Sequence, residues 1–186
     1  PEKEGRYDDS FGFETDNHLG ESAYQSLIRM TEIMKPSVVM NLSLQKASEL
    51  IADTSDWRSR RTAFIVTSVL CDECGEAMRQ YVPLLISTII DKLEDPNPRV
   101  RYGALYVIKC FIESFGCTLN SRGEEIISFQ DEYHKQILPA VIKFIATNVQ
   151  HPYLLHIGLI TLGNYSFSNP GQRQGTSMYV FIHHTG

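Results

Sequence analysis

Four cysteines are the residues of this sequence whose spacing could support metal or redox chemistry. Cys71 and Cys74 form a Cys-x-x-Cys pair, a spacing found in zinc and redox sites, and Cys110 and Cys117 follow later in the chain. A single such pair is a weak signal, because free cysteine is commonly packed as a small apolar side chain. We favour reduced, packed thiols in a cytosolic or nuclear protein, and one zinc ion held by all four sulfurs stays the alternative.

Histidines and hydroxyl residues show no pattern typical of catalysis. The sequence contains no Walker loop, no Gly-x-Ser-x-Gly and no His-Glu-x-x-His motif. His151 and His156 are five positions apart, which places them poorly for one helical face. We therefore expect a protein that is not an enzyme and that needs no cofactor or metal.

Five arginines could form a surface for nucleic acid. Arg58, Arg60, Arg61, Arg99 and Arg101 cluster near the starts of two apolar helical segments. The whole chain, however, has 17 basic and 22 acidic residues and a formal net charge of -5. Because phosphate backbones attract proteins with excess positive charge, we expect no direct contact with nucleic acid.

The negative charge is concentrated at the start of the chain. Residues 1–24 hold seven acids and two bases, 2 - 7 = -5, so the remainder is neutral on balance. We predict a disordered acidic arm over residues 1–19 that could attract basic protein partners. Its candidate contact residues are Asp8, Asp9, Glu14 and Asp16. A solvated linker without a binding role is the alternative.

The elements that would position these residues repeat along the chain. Asp-Pro-Asn-Pro-Arg-Val-Arg-Tyr at 95–102 lies between two apolar helical stretches, and its two prolines predict a tight corner. A similar corner occurs about 41 residues earlier and another about 54 residues later. Repeats of that length are typical of solenoids, so we predict an all-α chain of about three and a half antiparallel helical hairpins over residues 20–168.

The spacing of apolar residues places the helices of these hairpins. We predict helices over 21–34, 57–74, 133–148 and 153–165, with further helices starting near Pro36, Pro83 and Pro98. Residues 117–132 interrupt the period as a loop insertion, and residues 169–186 form an irregular tail that we exclude from the fold. No apolar run approaches the ~20 residues that a membrane span needs.

Two aspartates and two arginines recur at matching positions of the corners. Asp53 precedes Arg60, and Asp95 precedes Arg101. In a stacked array such residues can alternate between repeats as a turn ladder, in which each satisfies the charge of the other. Leu155 occupies the arginine position of the third corner, so we expect the ladder to stop there. Arginines that simply face water are the alternative.

The second helix of each hairpin carries an exposed stripe of arginine, tyrosine and lysine. Arginine and tyrosine contribute strongly to interface energies, so we predict that this stripe contacts protein partners. The candidate residues are Arg58, Arg61, Arg99, Tyr102, Tyr106, Lys109, Tyr153, His156 and Asn164. Packing between repeats is the alternative role for the tyrosines.

An ordered set of motifs resembles the karyopherin-β (importin-β) transport receptors, which are arrays of HEAT repeats. The motifs are Gly-Glu-Ser-Ala at 20–23, Asp-Trp-Arg-Ser-Arg at 56–60, Asn-Pro-Arg-Val-Arg-Tyr at 97–102, Tyr-His-Lys at 133–135 and Leu-Gly-Asn-Tyr at 162–165. The nearest type is importin-5/importin-4. The resemblance covers residues 12–168 as an internal portion of a much longer receptor, and the chain accordingly opens with Pro1. Leu155, Cys71 and the insertion depart from the family pattern.

The resemblance implies a role in nuclear transport. Receptors of this family bind protein cargo and the GTPase Ran on a concave surface lined by second helices, and they bind nucleoporin Phe-Gly repeats on the convex surface. It therefore implies a segment that binds basic nuclear cargo, shuttles between cytoplasm and nucleus and has no membrane span. A HEAT-repeat scaffold subunit of a different complex explains the repeats equally well, but not the combined order of the motifs.

Overall fold

A computed structural model describes residues 18–116 and 128–166, and within these ranges all regular secondary structure is helical. Three helical hairpins follow one leading helix. The elements are α1 (His18–Ile33), α2 (Pro36–Ala52), α3 (Trp57–Cys74), α4 (Glu76–Arg79), α5 (Val82–Asp91), a 3-10 turn (Lys92–Glu94), α6 (Pro98–Phe115), α7 (Phe129–Thr147) and α8 (Pro152–Ser166). No helix in the described ranges is both long and apolar enough to cross a membrane.

The hairpins stack side by side into a solenoid. α2 pairs with α3, α5 with α6 and α7 with α8, while the second helices form a layer in which α6 packs between α3 and α8. α1 packs against α3 as the second helix of a preceding half repeat. This arrangement confirms the predicted all-α HEAT-repeat solenoid.

Short-range signals at each corner explain where the helices begin. Pro36, Pro98 and Pro152 are each the first residue of a helix, where the missing N–H group costs little. Asp56 and Asn97 cap α3 and α6, because each side chain accepts a hydrogen bond of 2.9 Å from the backbone N–H two residues later. The corners thus reverse the chain through local chemistry alone.

α6 is the centre of the core. One face of this helix, made of Val100, Ala104, Val107, Ile108 and Phe111, is fully buried. The neighbouring helix approaches so closely that a Cβ atom at Gly103 would lie 3.1 Å from the Cβ atom of Phe64 on α3. The small residue that permits this approach is therefore Gly103.

Several predicted boundaries are corrected. α1 begins at His18, inside the predicted arm of residues 1–19, and the described part of that arm is helical. α7 begins at Phe129, four residues before the predicted Tyr133, so the end of the 117–132 insertion is helical as well. The physical reason is Ser128, whose hydroxyl caps α7 by accepting from Asp131 N at 3.1 Å.

The first helices of the second and third hairpins also differ. Before α5 the chain forms the separate short helix α4, which was not predicted, whereas α7 continues through the interior Pro139. The rest of the insertion, the tail of residues 169–186 and the arm residues Asp8, Asp9, Glu14 and Asp16 lie outside the described residues, so the statements about them stay predictions.

Candidate partner-binding surface and turn ladder

The turn ladder forms between the first and second hairpins. Arg60 Nε donates to Asp95 Oδ2 at 2.8 Å and Arg60 Nη2 donates to Asp95 Oδ1 at 3.1 Å. Arg60 Nη1 also donates to the backbone oxygen of Asp53 at 2.8 Å. The two side chains are 9% and 3% exposed, so this is a buried two-point ion pair that joins adjacent repeats. The alternative, an arginine that faces water, is wrong for Arg60.

These contacts shift the ionisation of the turn residues. The hydrogen bond from Arg60 to Asp95 raises the pKa of Arg60. Burial alone would raise the pKa of Asp95, but the Arg60 and Asn97 hydrogen bonds outweigh it and lower that pKa. Hydrogen bonds from Ser55, and one from the Asp56 backbone, lower the pKa of Asp53 to about 2. Both turn aspartates are therefore carboxylates at neutral pH.

The ladder stops at Arg101, one step before Leu155, where the sequence predicted its end. Arg101 Nη1 donates to the backbone oxygens of Asp95 at 2.9 Å and Pro96 at 3.2 Å, which belong to its own corner. Its Nε atom is buried and has no hydrogen-bond partner among the described residues. Asn148 ends α7 where Asp53 and Asp95 stand at the other corners, and burial lowers the pKa of Arg101.

One side of α6 carries a row of side chains, here called the α6 stripe: Arg99, Tyr102, Tyr106, Lys109 and Glu113. The sequence predicted an exposed stripe, but only Glu113 is exposed and the other four are half-buried. The Tyr102 and Tyr106 rings stack with centroids 6.3 Å apart, and Lys109 Nζ lies 5.2 Å from the Tyr106 centroid. Lys109 also pairs with Glu113 at 2.7 Å. The stripe is ordered by its own contacts, because neighbours three or four positions apart share a helical face.

Two neighbouring helices extend the α6 stripe. On α8, Asn164 Nδ2 donates to Glu113 Oε1 at 2.7 Å. On α3, the centroid of the Trp57 ring lies 4.6 Å from the guanidinium carbon of Arg58 and 5.4 Å from that of Arg99, which belongs to α6. Trp57 was not among the sequence candidates. The sequence could have indicated Trp57, since a tryptophan next to Arg58 at a helix start can contact cationic side chains from two repeats.

The other candidates lie on the same layer of second helices. Arg61 is half-buried on α3, and Tyr153 and His156 lie in the first turns of α8, half-buried and exposed respectively. Asn164 shares their helical face but reaches the α6 stripe from the opposite end of α8. The structure therefore forms two contact groups: Arg58 and Arg99 meet at Trp57, and Tyr102, Tyr106, Lys109 and Asn164 are connected along α6 through Glu113. Arg61, Tyr153 and His156 are assigned to the surface by position.

The far end of this surface is acidic. Asp72 on α3 lies close enough to Lys109 and Glu113 on α6 to feel both charges. Loss of hydration against the neighbouring helix raises the pKa of Asp72 to about 6; Lys109 opposes that rise, and Glu113 and Glu73 add to it. The layer of second helices thus runs from arginine and aromatic side chains at one end to carboxylates at the other.

The cysteines are packed inside the solenoid. Cys71, Cys74 and Cys110 are buried, and the Cys71 thiol donates to Ser114 Oγ of α6 at 3.3 Å. Burial raises the pKa of Cys71 to about 12 and also raises the pKa of Cys110, so both are neutral thiols. Across residues 18–116 and 128–166 no three potential ligands are grouped for a metal ion, and Cys117 lies outside those ranges.

Comparisons with known proteins agree with this architecture. The family described as a HEAT-like repeat matches residues 57–111, which run from the start of α3 into α6. The chain is therefore a solenoid that carries HEAT-like repeats. It is 28% identical over 98 residues to the protein named importin subunit beta-3 of Saccharomyces cerevisiae, an alignment that covers 53% of this chain and 8% of that protein. No solved structure matches the chain.

The two matches support the wider karyopherin and HEAT-repeat grouping that the sequence motifs indicated. They do not distinguish the importin-5/importin-4 type. The alignment spans only about a twelfth of the relative's length, so it compares this chain with a small part of that protein.

Proposed function

We propose that this chain is a segment of a nuclear transport receptor that binds protein cargo through its layer of second helices and catalyses no reaction. The observation that carries the proposal is the α6 stripe together with Trp57. Its tyrosines are stacked on each other, and Trp57 and Tyr106 each lie beside cationic side chains. The name of the yeast relative, an importin subunit, supports transport as the setting.

The chemistry of the stripe suits binding to a protein surface. Tryptophan, tyrosine and arginine are the residue types that contribute most to interface energies. Here they are held in place before binding by stacking and cation–π contacts, which lowers the entropy lost on association. The acidic end with Asp72 and Glu113 complements a basic cargo, so we propose basic nuclear proteins as the cargo class.

The finer parts of the proposal rest on the sequence motifs. They are membership of the importin-5/importin-4 type, release of cargo by Ran-GTP, binding of nucleoporin Phe-Gly repeats and movement between cytoplasm and nucleus. The acidic arm with Asp8, Asp9, Glu14 and Asp16 is proposed as a second contact for the same basic cargo.

A pull-down with the longest version of this protein tests the proposal. It compares Ran-GTP with Ran-GDP in the presence of a lysine-rich nuclear cargo. We expect binding of Ran-GTP alone, with displacement of the cargo. A folded protein without nucleotide-dependent binding would favour a HEAT-repeat scaffold subunit of another complex.

Substitutions then locate the cargo surface. The double variant Trp57→Ala with Tyr106→Ala is expected to weaken cargo binding by more than about 10-fold, since it removes two aromatic anchors. The matched control is Ile142→Ala, which removes an exposed apolar side chain from α7, a first helix. Equal affinity of both variants for the cargo, measured by calorimetry with unfolding temperatures checked, would place the cargo elsewhere.

A further inference from the structure

A cleft of about 500 Å³ separates the second and third hairpins on the side of their first helices. Its walls come from α5 and the following 3-10 turn on one side and from α7 on the other. The residues that matter for its chemistry are Ile90, Leu93, Arg101, Pro139, Phe144 and Asn148. The lining of the cleft includes neither Trp57 nor a residue of the α6 stripe, to which cargo binding is assigned above, although Arg101 belongs to α6.

A comparison of Arg60 with Arg101 shows that Arg101 has no carboxylate partner in the described part of the chain. In Arg60, Nη1 holds the backbone oxygen of Asp53, while Nε and Nη2 hold the Asp95 carboxylate from the next hairpin. In Arg101, Nη1 holds the equivalent backbone oxygen of Asp95, but Nε has no partner among the described residues. In Arg60 the Nε and Nη2 atoms bind a carboxylate, whereas in Arg101 no carboxylate of the described residues lies at these atoms.

Asn148 explains the difference between the two arginines. It ends α7 at the position that corresponds to Asp95, but its Nδ2 donates to Phe144 O at 2.8 Å and to Thr147 Oγ1 at 3.2 Å. A neutral amide turned toward its own helix gives Arg101 no anion. The Nε atom of Arg101 thus stays buried without a hydrogen-bond partner among the described residues, beside an open cleft, and such an arrangement is costly.

We propose that this cleft binds an acidic side chain of a partner peptide, whose carboxylate takes on Arg101 the place that Asp95 takes on Arg60. The geometry favours a carboxylate, since the Nε and Nη2 edge of arginine binds its two oxygens side by side. Cationic charge at the site exceeds anionic charge, because Arg101 and Lys143 face only Glu94, which is already paired with Lys143.

The walls define the rest of the ligand. Ile90, Leu93, Pro139 and Phe144 are apolar, so a residue next to the acid in the peptide is expected to be apolar too. The ligand class is therefore a short peptide segment with an aspartate or glutamate flanked by leucine-like side chains. This site is independent of the cargo surface, and its failure would leave the proposed function intact.

Nuclear magnetic resonance of the arginine Nε–H groups tests the site directly in the full 186-residue chain. The probe is the blocked peptide acetyl-Ala-Leu-Asp-Leu-Ala-amide, and its Asn counterpart is the matched control. We expect the Arg101 signal to shift with the Asp peptide at concentrations on the order of 1 mM and to stay unchanged with the Asn peptide.

Two variants make the test decisive. Asn148→Asp supplies the missing carboxylate from within the chain, so it is expected to shift the Arg101 signal without peptide and to weaken peptide binding about 10-fold or more. Ala140→Phe fills the cleft from α7, leaves Arg101 in place and is expected to weaken binding as well. An Arg101 signal unmoved by the Asp peptide at about 10 mM, or moved equally by the Asn peptide, would overturn the proposal.

Discussion

Between the first and second hairpins Arg60 meets the Asp95 carboxylate, whereas between the second and third hairpins Arg101 meets only backbone oxygens. The two corners otherwise share the same design, with a capped second helix and an arginine in its first turn. At the position that supplies the aspartate to the first interface, the second interface has Asn148, and a cleft lies beside it. The comparison teaches that a repeat can keep its fold while one position decides whether its charges are satisfied internally.

The largest effect is expected from breaking the closed interface. Asp95→Asn removes the carboxylate and leaves Arg60 buried without a counter-charge, which costs about 3–5 kcal/mol. Asn148→Ala at the open interface removes the two hydrogen bonds of its side chain and is expected to cost about 1–2 kcal/mol. Urea unfolding monitored by circular dichroism measures both. Equal losses in the free energy of unfolding would mean that the buried ion pair does not make the first interface more stable than the second.

A smaller effect separates packing inside the third hairpin from packing at its interface. A Cβ atom at Gly158 on α8 would lie 2.7 Å from Ile145 Cγ1 on α7, so Gly158→Ala is expected to cost about 1–3 kcal/mol. Gly163 on the same helix has no atom within 4 Å of such a Cβ, and Gly163→Ala is expected to stabilise the protein by up to about 1 kcal/mol.

The two glycine variants are compared by their denaturant midpoints. The tight contact at Gly158 indicates that the third hairpin is well packed within itself, although a cleft lies between its first helix and the second hairpin. A Gly158→Ala variant as stable as Gly163→Ala would show that the third hairpin is loosely packed throughout. The cleft would then not be a local feature of the boundary between the second and third hairpins.

The smallest effect concerns Asp72. Its carboxylate is not fully compensated by nearby positive charge, whereas Arg101 is a cation without a hydrogen-bonded carboxylate partner among the described residues. Its pKa is raised to about 6, so the carboxylate is less favourable in the folded chain than in the unfolded chain, where an aspartate has a pKa of about 3.9. Asp72→Asn is therefore expected to raise the unfolding temperature at pH 7. The gain should shrink as the pH falls from about 6 to about 4, because the wild-type carboxyl then protonates in the folded state.

Glu73→Gln removes the same charge from the next position and serves as the control for net charge in thermal unfolding at several pH values. A gain for Asp72→Asn that does not depend on pH across that window would contradict the raised pKa. A gain equal to that of Glu73→Gln at every pH would assign the effect to net charge alone.

Local sequence patterns were sufficient to predict much of the solenoid. The corner at Asp95, the limits of α3 and the pairing of Arg60 with the next repeat follow from caps, prolines and a repeated spacing, which act within a few residues or recur along the chain. The start of α7 was missed because Ser128 lies in a polar stretch that resembles a loop. Its role as a cap depends on Phe129, which packs against Phe111 from another repeat with ring centroids 5.7 Å apart.

The candidate sites depended more on tertiary contacts. The tyrosine and lysine members of the α6 stripe follow from helical spacing, but the place of Trp57 between two arginines requires two hairpins to stack. The cleft at Arg101 could not be predicted for the same reason. Leu155 indicated that the ladder would end, yet the gap between α5 and α7 that gives Arg101 an open neighbour arises only from the packing of whole helices.

The hydrogen bond between Cys71 and Ser114 has a consequence for the time course of motion in the solenoid. It joins α3 to α6, and the raised pKa of Cys71 leaves almost no thiolate at neutral pH while the two helices stay together. A thiol reagent can therefore modify Cys71 only during a brief separation of these helices. The rate at which a reagent labels Cys71 is therefore expected to report how often α3 and α6 separate, without an introduced probe.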